Sequence, residues 1–445
     1  MKQPICSFVQ KYAEENTLRL HMPGHKGIKM LGPEALDITE ITGADVLYAS
    51  EGIIRKSEEM ASVLFGSAKT LFSTEGSSLC IRAMLYLVHL YAAKRRRKPR
   101  VLAGRNAHKV FLSAAALLDL ETDWVYPEKS ESLLSGCVSL NRLEELLEQE
   151  EFTAFYLTSP DYLGNIADLA ACAEICHRHG VLFLVDNAHG AYLKFLPSSR
   201  HPLDFGADLC CDSAHKTLPV LTGGAYLHFS CSCPPELMAA GEQAMRLFAS
   251  TSPSYLILQS LDRCNTYLAE TLPKEAPETA QRAVNLKREL TEEGWQTVGD
   301  EDWKLTLAPK SRGMTGKELA DNLEKQKIFC EFSDPDYLVM MFSPCHCEED
   351  YERVRTALER LPVRGAVQEK PPCCEAAKQV LSPRRAMLSP FETLPIHDCL
   401  GRILAMPSVS CPPAVPILVC GEVITEQAIE LFDYYGIRHC DVVSI

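Results

Sequence analysis

The stretch Asp208–Phe229 reads D-L-C-C-D-S-A-H-K-T-L-P-V-L-T-G-G-A-Y-L-H-F. Its apolar beginning predicts a strand that ends at Asp212. A turn with one proline and two glycines then leads into a second apolar run, Ala225–Phe229. The first strand delivers three polar side chains to the turn, and these are Ser213, His215 and Lys216. A nucleophile site on a sheet needs such an arrangement.

The amine of Lys216 is the candidate for covalent chemistry. We expect apolar walls around it and His215 beside it, and both effects lower the pKa of an amine and raise its reactivity. Pyridoxal 5'-phosphate (PLP) is bound by enzymes through such an amine. The alternative is a surface lysine in a loop, which the motif S-A-H-K alone does not exclude.

A second stretch, Val181–Gly190, reads V-L-F-L-V-D-N-A-H-G. Its continuous apolar run predicts a strand buried in a parallel sheet, and the run ends at Asp186. Ligands of such sheets bind at the carboxyl ends of the strands, where a carboxylate can keep the pyridine nitrogen of PLP protonated. The alternative is a loop aspartate that caps a helix. A strand-end Asp thirty residues before Lys216 is typical of fold-type I PLP enzymes.

Further motifs follow in order along nearly the whole chain. They are L-H-M-P-G-H-K-G (Leu20–Gly27), D-I-T-E-I-T-G-A-D (Asp37–Asp45), R-N-A-H-K (Arg105–Lys109), T-S-P-D-Y-L-G (Thr158–Gly164), D-N-A-H-G-A (Asp186–Ala191), S-A-H-K-T-L-P-V-L-T (Ser213–Thr222), T-S-P-S-Y (Thr251–Tyr255) and P-P-A-V-P-I-L-V-C-G-E (Pro412–Glu422). With them the sequence resembles the short form of the bacterial ornithine/lysine/arginine decarboxylase family. The resemblance implies an α/β fold with a fold-type I, aspartate aminotransferase-like large domain, a mainly parallel sheet and smaller α+β C-terminal domains.

The pattern of elements predicts four segments. We expect an N-terminal segment over 1–60, a PLP-binding large domain over 61–270, a small α+β domain over 271–365 and a C-terminal domain over 376–445. Strand and helix patterns alternate in the large domain, as in a mainly parallel sheet. Helices are predicted over 57–65 and 280–293, among others, and residues 362–375 are predicted to be a linker.

Composition excludes several classes of protein. The 445 residues suit two or three domains, and 46% hydrophobic and 23% charged residues suit a large core. The net charge of -14 argues against a nucleic-acid partner. Met1–Phe8 lacks the apolar centre of a signal peptide, and the longest apolar runs are of strand length. We therefore expect a cytoplasmic protein with no membrane partner.

Nineteen cysteines are present, and without a secretion signal we expect buried, reduced thiols rather than disulfides. Zinc sites favour paired C-x-x-C spacing, which the close cysteine pairs lack. The nearest candidate is Cys345-His346-Cys347, and we expect no metal. The close pairs are Cys210-Cys211, Cys231/Cys233, Cys345/Cys347 and Cys373-Cys374.

The segment T-E-G-S-S, Thr74–Ser78, precedes an apolar helix and is the candidate phosphate site. Backbone N–H groups and hydroxyls at a helix N-terminus bind phosphate, although an ordinary serine N-cap is the alternative. Glu75 departs from the family, which usually has Asn there, and it would repel a phosphate unless it points away. The predicted cofactor contacts besides Lys216, Asp186 and His108 are Gly76, Ser77, Ser78, Ser213, His215, His189 and Ser252.

Two of these predictions follow from the resemblance. The family's equivalent of His108, in R-N-A-H-K, stacks on the cofactor ring, whereas a lone strand-end histidine is more often structural. The family's T-S-P-S-Y segment completes the phosphate site across a dimer interface. Ser250–Ser252 are therefore candidates to act on a partner subunit, and a homodimer or a larger homo-oligomer is expected.

The predicted reaction is α-decarboxylation of a basic amino acid in polyamine metabolism. Lys216 binds PLP, Asp186 keeps the ring nitrogen protonated and His108 holds the ring plane. Arginine, giving agmatine, is the first choice, followed by lysine, giving cadaverine, or ornithine, giving putrescine. The candidate partners of the substrate's side-chain cation are Asp45, Glu51 and Glu392.

Two other functions remain open from the sequence. An aminotransferase or lyase on the same fold would keep Lys216 and Asp186, and a PLP-binding protein without turnover would bind the cofactor only. Departures from the family pattern suggest a divergent member. They are Glu75, Asn187 where an acid is usual, Cys411 where Tyr is more frequent, and Ala414 where Gly is more frequent.

Overall fold

The computed structural model describes residues 2–15, 17–127, 132–372, 376–408 and 414–444. By its contacts the chain divides into two compact units. The first unit comprises Met1–Pro99, Phe152–Tyr156 and Leu169–Glu275, and the second comprises Arg100–Glu151, Leu157–Asp168 and Ala276–Ile445. The division into four segments stays a prediction.

The helices, in chain order, are α1 (Pro4–Glu14), α2 (Ile53–Phe65), α3 (Gly76–Lys94), α4 (Lys109–Leu118), α5 (Leu140–Gln149), α6 (Leu169–Arg178), α7 (Ala214–Thr217), α8 (Pro235–Phe248), α9 (Tyr255–Glu270), α10 (Leu272–Glu292), α11 (Gly316–Glu324), α12 (Glu348–Glu359), α13 (Pro383–Met387) and α14 (Glu426–Tyr434). The strands are β1 (Lys69–Ser73), β2 (Arg100–Gly104), β3 (Glu121–Val125), β4 (Ala154–Thr158), β5 (Leu182–Asp186), β6 (Leu209–Asp212), β7 (Ala225–Phe229), β8 (Thr297–Val298), β9 (Lys304–Leu307), β10 (Phe332–Ser333), β11 (Leu338–Met341), β12 (Phe391–Pro395) and β13 (His439–Val443). Within the described ranges, no helix is both long enough and apolar enough to cross a membrane.

Two helices begin earlier than the sequence predicts. α2 begins at Ile53 rather than residue 57, because the upstream Asp45 carboxylate accepts the N–H groups of Gly52 and Ile54 at 2.8 and 3.1 Å. α10 begins at Leu272 rather than residue 280, although Pro277 lies inside it. Leu272 is fully buried, and apolar packing of this kind outweighs the hydrogen bond that a proline removes.

The main sheet has seven strands in the order β1-β7-β6-β5-β4-β2-β3. β7 is antiparallel to β1 and to β6, whereas β5 with β6 and β2 with β3 are parallel pairs. The predicted α/β fold with a mainly parallel sheet is confirmed. Every residue of β5, β6 and β7 is buried, which explains why their sequences are mainly apolar instead of alternating.

Buried polar contacts anchor the N-terminal helices in the first unit. Asp262 on α9 accepts hydrogen bonds from the Cys6 N–H at 2.9 Å and from the Ser57 hydroxyl at 2.6 Å. One carboxylate therefore joins α1, α2 and α9. Glu58, also on α2, accepts the N–H of Phe72 in β1 at 2.9 Å, which ties the same helix to the sheet.

The second unit contains the predicted smaller α+β structures. A four-stranded antiparallel sheet, β10-β11-β9-β8, packs against α10, α11 and α12 through a core that includes Leu286, Leu319 and Leu358. The antiparallel pair β12–β13 forms a separate core with α14. Residues 362–372 of the predicted linker form no helix or strand, and residues 373–375 lie outside the described residues.

Candidate active site

Asp186 is the last residue of β5, and it is 2% exposed. Burial raises the pKa of its carboxyl group, against the charge of Lys216 and several hydrogen bonds. The Tyr156 hydroxyl donates to Oδ2 at 3.1 Å and the Ala188 N–H donates to Oδ1 at 3.2 Å. A buried carboxylate held in this way gains most from a cationic N–H donor, and a protonated pyridine nitrogen is such a donor.

Lys216 lies on α7, directly after β6. Its Nζ atom is 2.8 Å from Nε2 of the buried His189, so the structure brings together Asp186, His189 and Lys216. The predicted apolar walls around the amine are wrong, because the Lys216 side chain is exposed. Ala214 and Thr217 occupy the buried side of this short helix, which turns the intervening Lys216 outward.

The phosphate-site candidates gather at the N-terminus of α3. The Ser213 hydroxyl donates to Ser77 Oγ at 2.7 Å, and Gly76 begins the helix with a φ of +71°, in the left-handed region that favours glycine. A Cβ atom on Gly76 would lie 4.0 Å from Cε1 of His215. Ser78, two residues further along the helix, is half-buried. Most of the predicted phosphate ligands therefore form one cluster.

The ring of His215 is oriented by the backbone. Its Nδ1 atom donates to the carbonyl oxygen of Gly224 at 3.0 Å. Burial lowers the pKa of His215, and the charge of Lys216 acts in the same direction. The neutral ring that results presents Nε2 as an acceptor.

Glu75 does not cap α3, although it occupies the N-cap position. Its exposed carboxylate accepts the N–H of Ser250 at 2.7 Å, and the Ser252 N–H in turn donates to Ser250 Oγ at 3.1 Å. Ser252 is exposed. The carboxylate therefore bonds to the residue that directly precedes the T-S-P-S-Y segment.

His108 lies in the second unit, at the N-cap of α4. Its Nδ1 atom accepts the N–H of Val110 at 3.2 Å, and its side chain is half-buried. A neutral ring bonded in this way carries its proton on Nε2. This contact is a structural role of the kind considered from the sequence, and the stacking role stays a prediction.

Arg105 is a residue whose role the sequence reasoning missed. Its guanidinium group is buried and donates to the carbonyl oxygens of Pro416 and Ile417, both at 2.7 Å. The N–H of Lys109 donates to the carbonyl oxygen of Ala414 at 2.9 Å. The motifs R-N-A-H-K and P-P-A-V-P-I-L-V-C-G-E of the second unit are therefore joined by hydrogen bonds. The sequence signal for this role was a charged residue, Arg105, directly after a buried strand. Cys411, Pro412 and Pro413 lie outside the described residues.

Asp212 is the second residue that the sequence reasoning missed, because it was interpreted only as a strand end. Its Oδ2 atom accepts hydrogen bonds from Nε2 of His201 at 3.0 Å and of His228 at 3.2 Å. Its Oδ1 atom accepts Nδ2 of Asn187 at 2.7 Å. All four side chains are fully buried. Histidines placed eleven residues before Asp212 and sixteen after it give no local sequence signal.

The three candidate partners of the substrate cation have different surroundings. The carboxylate of Asp45 caps α2 and accepts the Glu51 N–H at 3.0 Å as well. Glu51 itself is exposed. Glu392, in the second unit, forms an ion pair with Arg402 at 2.6 Å. Asp45 is therefore a structural cap.

The cysteines of the described residues are free thiols and most are buried, as predicted. Cys345 and Cys347 are exposed, and the Cys347 thiol contacts Asp350 at 3.4 Å. Cys373 and Cys374 lie outside the described residues. Among the side chains that the structure describes, the group with spacing suited to a metal ion is His201, Cys210 and Asp212.

The sequence matches two related family descriptions. Residues 3–307 match Orn/Lys/Arg decarboxylase, major domain, and residues 370–439 match Orn/Lys/Arg decarboxylase, C-terminal domain. The arginine decarboxylase of Bacillus subtilis is 28% identical over 96% of this chain and 92% of that protein.

Two solved structures have the same fold. Lysine decarboxylase A from Pseudomonas aeruginosa superposes with a TM-score of 0.81 at 16% identity, over 99% of this chain and 80% of that one. The Francisella novicida lysine decarboxylase LdcF gives a TM-score of 0.79 at 17% identity, over 99% and 81%. With a family match over more than half of its length, the chain belongs to the Orn/Lys/Arg decarboxylases and is a PLP-dependent amino-acid decarboxylase of fold type I.

Proposed function

We propose that this enzyme removes the α-carboxyl group of arginine and releases agmatine. The observation that carries the proposal is the contact of Lys216 with His189 beside the buried carboxylate of Asp186. The name of the Bacillus subtilis relative, which matches over nearly the whole chain, supports arginine. Lysine, giving cadaverine, and ornithine, giving putrescine, are the next candidates, and all three products belong to polyamine metabolism.

The side chains of the first unit fit PLP. Lys216 offers a primary amine, and Asp186 offers a buried carboxyl group whose charged form a protonated ring nitrogen would stabilise. The N-terminus of α3, with the hydroxyls of Ser77 and Ser213, offers donors for a phosphate. When bound, PLP supplies an electron sink for the electrons of the bond between Cα and the carboxylate.

Asp186 holds a proton on the ring nitrogen in this proposal. The Tyr156 hydroxyl and the Ala188 N–H prevent the carboxylate from rotating, so its orientation is set before ligands arrive. The sheet around the carboxylate excludes water, which strengthens its interaction with a cation. We propose that His108 lies against the face of the ring and holds its plane.

Lys216 and His189 transfer the protons of the reaction in this proposal. An amine must lose a proton before it can act as a nucleophile, and Nε2 of His189 lies 2.8 Å from Nζ. We propose that the same pair returns a proton to the substrate carbon after carbon dioxide leaves. The charge of Lys216 acts on both Asp186 and His215, so these three groups share one electrostatic environment.

The remaining proposals concern the assembly. We propose a cytoplasmic homodimer or larger homo-oligomer in which Ser250–Ser252 of one subunit help to complete the phosphate site of the partner. Glu51 or Glu392 would bind the side-chain cation of the substrate. The PLP-binding large domain would comprise residues 61–270, flanked by the segments 1–60, 271–365 and 376–445.

The test is the release of carbon dioxide and amine by purified, PLP-loaded protein. Arginine, lysine and ornithine are offered separately, and Lys216→Ala serves as the control. We expect agmatine from arginine and no product from the variant. Putrescine or cadaverine instead would change the substrate, whereas a keto acid without amine would indicate an aminotransferase and contradict the proposal.

A further inference from the structure

We infer that Asp212 is a positioning residue of this enzyme, which through Asn187 holds the turn that carries His189 against Lys216. The inference rests on the proposed role of Lys216 as the amine that binds PLP. The side-chain hydrogen bonds of Asp212 with Asn187 and the two histidines decide where two turns of the chain lie.

The carboxylate of Asp212 is saturated with donors. Oδ1 accepts Asn187 Nδ2 at 2.7 Å, and Oδ2 accepts Nε2 of His201 and of His228 at 3.0 and 3.2 Å. Burial raises the pKa of Asp212, but the two imidazoles outweigh burial and the pKa lies below its usual value. Burial lowers the pKa of His228, which keeps that ring neutral and able to donate.

The bond between Asn187 and Asp212 spans two strand ends. β5 and β6 are paired up to Asp186 opposite Cys211, and both strands end within one residue of this pair. The side-chain bond ties the chain just beyond the ladder, where Asn187 opens the turn to His189 and Asp212 precedes the turn to Lys216. If the side-chain bond were lost, the backbone hydrogen bond from the Asn187 N–H to the Cys211 carbonyl oxygen at 2.9 Å would still join the two strand ends.

A metal site is the competing explanation, since His201, Cys210 and Asp212 have suitable spacing. The geometry favours hydrogen bonding instead. An imidazole nitrogen that donates a hydrogen bond has no lone pair for a metal. His228 also engages its second nitrogen, Nδ1, with Thr70 Oγ1 at 2.8 Å. The Asp212 carboxylate and the two imidazoles are therefore held by hydrogen bonds with one another and with Asn187 and Thr70.

A reciprocal exchange of amide and carboxylate tests the inference. Asp212→Asn keeps both imidazoles on Oδ1 only if its Nδ2 faces Asn187, whose amide must then flip to offer Oδ1, an atom that has no partner in the wild type. Asn187→Asp places two carboxylates face to face. The double variant restores every bond, because the amide then at position 212 can donate through Nδ2 to the carboxylate at position 187 and accept both imidazoles through Oδ1. Asn187→Ala is a milder variant that leaves Asp212 its two histidines.

The readout is the rate at which apoprotein captures PLP on Lys216, trapped with borohydride and located by peptide mass spectrometry across a pH series. We expect Asn187→Asp and Asn187→Ala to slow capture by about 10- to 100-fold and to displace its pH dependence, as misplacement by about 1 Å does in active sites. Asp212→Asn should have a smaller effect, because a flipped Asn187 amide can restore the bond between the two side chains. We expect the double variant to recover to within about threefold, as coupled neighbours do in a double-mutant cycle.

Asp208→Asn is the matched control. Asp208 is also buried, accepts Nε2 of a histidine, His177, at 3.1 Å, and accepts the Phe183 N–H at 2.8 Å, but it lies before β6 at the opposite end of the strand. We expect this variant to lose stability and to capture PLP at the wild-type rate.

Each result has a distinct meaning. If the wild-type protein does not capture PLP on Lys216, the proposed function fails. If it does, and Asn187→Ala and the folded single variants match it in rate and pH dependence, the inference fails. Equal loss in Asp208→Asn, or stoichiometric metal in the purified protein, would also overturn it. If Asp212→Asn and Asn187→Asp do not fold, the capture rate and pH dependence of Asn187→Ala alone test the inference.

Discussion

At the scale of the residue, Ala414 departs from the family pattern and adopts a strained backbone conformation. The family more often has glycine there, and Ala414 adopts a φ of +57° while its carbonyl oxygen accepts the N–H of Lys109. An L-residue in the left-handed region is strained by about 1–2 kcal/mol. The chain tolerates this strain because Arg105 and Lys109 hold the segment in place.

The Ala414→Gly variant should therefore be more stable than the wild type. We expect a gain of about 0.5–1 kcal/mol in the free energy of unfolding, since the relieved strain exceeds the added freedom of the unfolded glycine. Urea unfolding followed by tryptophan fluorescence measures it, because Trp124, Trp295 and Trp303 all belong to the second unit.

Ala405→Gly is the control for this prediction. Ala405 is also fully buried in the second unit but is not among the residues with positive φ. It should lose about 1 kcal/mol, as glycine does where its conformational freedom is not needed. Equal losses in both variants would show that Ala414 is not strained.

At the scale of elements, carboxylates far apart in sequence fix where helices begin and what they touch. Asp45 caps α2 from eight residues upstream of its first residue, and Asp262 ties α1 and α2 to α9. Glu58 connects α2 to β1 through the Phe72 N–H. Burial raises the pKa of Glu58 to about 8, against its bond with that N–H.

This raised pKa makes the stability of the first unit depend on pH. Folded Glu58 keeps its proton up to a pH of about 8, whereas the unfolded side chain loses it near 4.5. The contribution to stability is therefore complete at pH values below 4.5 and is lost as the pH rises toward 8. Relative to Glu58→Gln, which has no proton to lose, the wild type should lose about 1.4 kcal/mol per pH unit in that window.

Thermal or urea unfolding at several pH values measures this difference. Glu59→Gln is the control, because Glu59 is exposed on the same helix and pairs with Arg55 at 3.1 Å. Wild type and Glu59→Gln should both lose stability as the pH rises from 4.5 to 8, because both retain Glu58. Parallel curves for wild type and Glu58→Gln would show that Glu58 is ionised in the folded protein.

At the scale of the whole molecule, the N-terminal loop exposes an unusual amount of apolar surface. Leu31 is 93% exposed and Leu20 is 83% exposed, and neighbouring apolar side chains are similar. Exposed apolar surface of this extent is typical of an interaction site. It supports the prediction of a homo-oligomer, and the exposed residues are Leu18, Leu20, Met22, Ile28, Met30 and Leu31.

We expect sedimentation equilibrium to give a mass of at least two chains. A double variant, Leu20→Glu with Leu31→Glu, should raise the dissociation constant by at least about tenfold, since burying each charge costs more than about 1.4 kcal/mol. Val363→Glu, an exposed apolar residue of the linker, should leave the mass unchanged. A monomeric wild type would contradict the oligomer, and an unaffected double variant would place its interface elsewhere.

The sequence by itself determined three strands of the main sheet, which are the two that end at Asp186 and Asp212 and the run Ala225–Phe229, and it determined the family. These features are local. A continuous apolar run such as Leu182–Val185 or Leu209–Cys211 specifies a buried strand, and the polar residue after it lies at the carboxyl end of that strand. For the same reason, the pattern of the sequence alone was enough to predict Asp186 and Lys216 as candidate site residues.

Only the tertiary structure decided which side chains meet. It placed His189 against Lys216, committed Asp45 to a helix cap and buried Asp212 between two histidines. It also left Lys216 exposed where apolar walls were predicted. The physical reason is that a hydrogen bond between side chains on different strands and turns depends on two things. These are the order of the strands in the sheet and the conformation of the turn that follows each strand. Neither is encoded in a short stretch of sequence.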